Sequence, residues 1–106
     1  MTDKELLELA AKAAGYKVQI YEGMMVESGT DCVCSVNGFR WNPLTDDGDA
    51  LRLAVKLGLV ITPNYHVEQP SMGVIEFTEI EDFPDPYVPT RRAIVRAAAE
   101  IGKALP

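Results

Sequence analysis

The sequence predicts an α+β domain of three helices and about four strands, mainly antiparallel, and three observations carry that expectation. Apolar residues recur at helical spacing near both ends and in the middle of the chain. Between these stretches lie short runs rich in Val, Ile, Tyr and Cys, bounded by turn residues. The length, 106 residues, is that of one ordinary domain and leaves no room for a second independent core. A chain of this size buries about 65% of its unfolded surface, enough to fold without disulfides or a structural metal.

Thr2 followed by Glu5 makes a capping-box pattern, and the stripe Leu6, Leu9, Ala10, Ala13 gives a first helix ending at Ala14, with Gly15 beyond it. Lys17 to Glu22 and Asp31 to Val36 read as strands, and Glu27-Ser28-Gly29-Thr30-Asp31 between them as a turn, so a hairpin is expected. Met24 to Val26 carry no decisive pattern. Asn37-Gly38 is a second turn signal that lets Phe39 to Trp41 fold back as a further short strand.

The stretch WNPLTDDGDALRLAVKLGL, Trp41 to Leu59, is the most strongly patterned. Pro43 pushes Asn42 into extended backbone, and Thr45 is placed to accept from free N–H groups as N-cap of a second helix. Asp46 and Asp47 then sit on the positive end of its dipole, each worth about 0.3 to 1 kcal/mol. Ala50, Leu51, Leu53, Ala54, Val55 and Leu57 cover most of the circumference and leave Asp49, Arg52 and Lys56 as a narrow polar stripe. Such a helix is expected to be buried on more than one side. Gly58 suits a left-handed C-terminal turn, with Leu59 packing back.

Val60 to Thr62 and Gly73 to Ile80 are the later strands, the second alternating Val74, Glu76, Thr78 against Ile75, Phe77, Glu79. Pro63-Asn64 and Gln69-Pro70-Ser71 read as connections, and EDFPDPYVP as a loop, because a residue before proline is biased away from helix. In the third helix Ile94, Ala97, Ala98, Ile101 and Leu105 form the apolar face, opposite Arg92, Arg96, Glu100 and Lys103. Arg91 and Arg92 fall in its first turn, where their charge opposes the dipole, and they are expected to meet the acids of the preceding loop.

Charge is unevenly spread. The net value is -6, yet Leu57 to Thr90 contains no Lys or Arg and carries Glu68, Glu76, Glu79, Glu81, Asp82 and Asp85. From Arg91 onward Arg91, Arg92, Arg96 and Lys103 stand against Glu100 alone. Solubility and pairing within the chain are one account of this. The other is complementary self-association, a homodimer in which the Glu76 to Asp85 segment meets Arg91, Arg92 and Arg96 of its partner, to which apolar surface left uncovered on helices two and three also points. Composition, 47% hydrophobic and 25% charged, is that of a soluble globular domain. Apolar runs fall short of the roughly 20 residues that span a bilayer. MTDKELLELA lacks the basic and apolar regions of a secretory signal, so the cytoplasm is the expected compartment.

Three blocks, WNPLTDDGDALRLAVKLGL, TRRAIVRAAAEIGKALP and ELLELAAKAAGY, resemble the small phage and prophage proteins grouped as the phage ABA sandwich domain. The resemblance covers nearly half the chain and is weak over Val18 to Arg40 and Ile61 to Val88. It implies a three-layer α/β/α sandwich, with helices on the two faces of a central sheet, in a protein of a tailed phage or prophage. It implies no reaction and carries over no site residues.

Candidate chemistry is sparse. Cys32-x-Cys34 with His66 offers three soft ligands, where zinc wants four and a wider Cys spacing. On a strand the two thiols would stand about 7 Å apart at Cα, so reduced, buried cysteines are the preferred reading. Asp46, Asp47 and Asp49 resemble part of a calcium loop but lack its terminal Glu, and helix capping accounts for them. His66 with a cysteine would make a nucleophile pair, yet no third group orients it, and a surface or loop histidine is preferred. Trp41 reads as a core anchor at the start of helix two. The sequence therefore points to a non-catalytic phage accessory protein, without cofactor or metal, that binds a host protein through Glu76, Glu79, Glu81, Asp82, Asp85, Arg91, Arg92 and Arg96. The competing reading is a nucleic-acid or nucleotide-ligand binder using Arg91, Arg92 and Arg96. Alkylating reagents should modify Cys32 and Cys34 slowly in the folded protein and quickly in denaturant, and stoichiometric zinc in protein purified without added metal would contradict this.

Overall fold

The last of the three helices packs against both of the others. The computed structural model describes residues 2–22, 32–36, 39–62, 66–69, 73–77 and 87–105, and for 18–22, 32–36, 39–40 and 73–77 it describes the backbone. Helix α1 (Asp3–Ala14) starts as its sequence predicts, with Thr2 Oγ1 accepting from Glu5 N at 3.2 Å. It ends at Gly15 in the left-handed region, φ 76°, where the N–H of Tyr16 reaches the Ala11 carbonyl at 2.9 Å. Strands β1 (Val18–Glu22), β2 (Cys32–Val36) and β3 (Phe39–Arg40) form an antiparallel sheet in that order, pairing Val18 with Val36 and Val36 with Phe39. Helix α2 (Asp47–Leu57) follows, closed by Gly58 at φ 65°.

Strands β4 (Val60–Thr62), β5 (His66–Gln69) and β6 (Gly73–Phe77) make a second antiparallel sheet, with a bulge between Val67 and Glu68. Helix α3 (Tyr87–Ala104) packs against α1, α2, β5 and β6, while α1 also meets β1 and β2. The fold class is thus the expected one, α+β with three helices on antiparallel sheet.

Contacts give the direction of the central helix pair. Asp3 meets Arg92, Leu9 meets Gly102, and Lys12 Nζ donates to the Leu105 carbonyl at 3.0 Å, so α1 and α3 run parallel. Both helices bury small residues, Ala10, Ala11 and Ala14 on α1 and Ala93, Ala97, Ala98 and Gly102 on α3. A Cβ added at Gly102 would lie 2.8 Å from the Leu9 carbonyl carbon and closer still to its oxygen. Only glycine allows the two backbones this approach.

Four expectations are corrected. Strand β5 was not foreseen, and Gln69, read as part of a connection, belongs to it; HVEQ has no run of β-formers, but its Val67 is fully buried and its backbone pairs on both sides. Helix α3 begins at Tyr87, inside the segment read as loop. Pro89 is accommodated because the first turn of a helix needs no N–H donor there, and it is fully buried. Arg91 and Arg92 consequently lie beyond the first turn, where the dipole penalty has fallen away. Finally, α2 is buried on one side only: Ala50, Leu53 and Ala54 face inward, whereas Leu51 and Val55 are 60% and 72% exposed. The turns expected at Glu27 to Asp31, Asn37-Gly38, Pro63-Asn64 and Pro70-Ser71, and the readings of Met24 to Val26 and Thr78 to Ile80, fall outside the described residues.

Gly102→Ala should destabilise the protein by at least the 1–3 kcal/mol typical of overpacking, roughly, because backbone rather than a flexible side chain must give way. Leu51→Ala should stay within about 0.5 kcal/mol, as exposed sites do. Thermal and chemical denaturation of the two variants measures both.

Candidate interaction surface

The acids at the start of α2 serve the helix. Its N-cap is Asp46, not Thr45: the Asp46 backbone is extended, φ -116° and ψ 121°, and its carboxylate accepts from Asp49 N at 2.8 Å. Thr45 lies one residue too early, in a turn closed by Thr45 N and Asp46 N donating to the Asn42 carbonyl at 3.1 and 2.9 Å. Asn42 is buried and orders this turn, its Oδ1 accepting from Leu44 N at 3.0 Å. Its own N–H donates to Asp49 Oδ2 at 2.9 Å. Asp49 also accepts from Arg52 at 2.8 Å, and this hydrogen bond, against some desolvation, holds the exposed Arg52 guanidinium above its ordinary pKa.

Two neighbouring arginines of α3 then grip the starts of the other two helices. Arg91, its side chain 12% exposed, donates Nε–H to the Leu44 carbonyl at 2.9 Å and pairs with Asp47 at 2.6 Å. Arg92 reaches Asp3 at 3.5 Å. The expected partners of these arginines were acids of the preceding loop or of a second copy. The structure gives them the acidic N-termini of α2 and α1, which removes Arg91 and Arg92 from an open basic face, while the acids of the preceding loop lie outside the described residues. Arg96 is exposed. Glu76 is on β6, where only the backbone is described, and Glu79, Glu81, Asp82 and Asp85 fall outside the described residues.

His66 is on β5, not in a loop, its Nε2 3.4 Å from Glu68 Oε1. Cys32 and Cys34 are on β2 of the other sheet. Among the described residues no three His, Cys, Asp or Glu side chains gather to hold a metal ion. Trp41 is buried, and Tyr16 meets it edge-on with centroids 5.8 Å apart. Lys56 Nζ stands 4.5 Å from the centroid of the same Tyr16 ring.

Apolar surface left over on α2 was expected from its sequence; what sequence reasoning missed is that the strand after it also displays apolar side chains. Of the six large hydrophobic residues exposed among the described ones, Leu51, Val55, Val60 and Ile61 fall between positions 51 and 61. The signal on α2 was an apolar arc wider than one packing partner covers. Compared with known proteins, the chain matches no family model, no curated protein and no solved structure.

Asp46→Ala should cost about 0.5 to 2 kcal/mol, the range for losing an N-cap acceptor. Thr45→Ala should cost less, because its hydroxyl makes only a 3.5 Å contact with the Asn42 carbonyl. Urea denaturation of the two variants ranks them, and the reverse order would restore Thr45 as the cap.

Proposed function

We propose that this protein is a non-catalytic accessory protein of a tailed phage or prophage that works by binding, with a host protein as its target in the bacterial cytoplasm. The observation that carries the reading is the outward display of Leu51, Val55, Val60 and Ile61, since clustered exposed apolar side chains on a small domain mark interaction surfaces. The phage origin is supported by the resemblance of the three sequence blocks to the phage ABA sandwich family, together with an α+β fold of the corresponding class. No helix among the described residues is long and apolar enough to cross a membrane. Self-association belongs to the same reading, because such a surface accepts a second copy of the chain as readily as a foreign protein.

The nucleic-acid alternative is less well supported. Arg91 and Arg92, two of its three proposed phosphate contacts, already bind Asp47 and Asp3. What stays exposed on that helix is Arg96 and Lys103 with Glu100 between them, in a chain of net charge -6.

Immobilised protein should retain a discrete host protein from bacterial lysate. Purified, that protein should bind the wild type and lose affinity for the Leu51→Asp/Val55→Asp double variant, whose melting temperature should stay close to wild type. Retention of nucleic acid that salt and nuclease abolish would favour the alternative, and equal binding by the double variant would remove the surface from the proposal.

A further inference from the structure

We draw no further inference here: the strongest candidate, the exposed apolar face of α2 at Leu51 and Val55, belongs to the surface already described, and nothing in the structure shows what covers it, because the charges beside it are met within the chain, Arg52 by Asp49 and Asp46 and Asp47 by Arg91.

Discussion

The close approach of α1 and α3 at Leu9 and Gly102 is the constraint from which the rest of the molecule takes its place. With no side chain between the backbones there, α1 and α3 approach closely, and α3 also packs against α2, β5 and β6. A helix so placed has little surface left for water. Ala93, Ile94, Val95, Ala97, Ala98 and Ala99 are all buried, and short side chains are what let four elements crowd around one helix.

Running α1 parallel to α3 brings their positive ends together, and α2 also begins beside the same stretch of α3. Three helix starts thus gather at one pole, each contributing unsatisfied N–H groups and partial positive charge. The acids collected there are the answer to that field. Asp3, Asp46, Asp47 and Asp49 meet N–H groups or guanidinium groups, and Arg91 and Arg92 link α3 to Asp47 and Asp3. An acid cluster that looks like part of a cation site in one dimension is, in three, a set of fasteners between helices.

Features with a purely local cause were legible in the sequence. Thr2 with Glu5, Gly15 and Gly58 signal helix ends through their own hydrogen bonds and backbone angles, and the structure places them as read. Features decided by distant neighbours were not. Val67 is an ordinary apolar residue until β4 and β6 flank it, and Pro89 reads as a breaker until the helix is known to start two residues earlier. The candidate surface is the strongest case. The apolar arc of α2 announces burial, but which part of the arc α3 reaches depends on where α3 itself is held, and the α1 seam sets that. Leu51 and Val55, part of the arc that helical periodicity predicted to be buried on more than one side, are consequently on display.

The single tryptophan sits at the end of a short relay. Lys56, on the outer side of α2, rests on Tyr16, and the edge of Tyr16 abuts the buried Trp41. An event at the surface that draws the lysine away alters the electrostatics felt by Tyr16, and through its ring those felt by the indole. The molecule therefore contains an intrinsic optical gauge: the wavelength and yield of tryptophan emission register what happens on the outside of α2, although the chromophore itself never leaves the core.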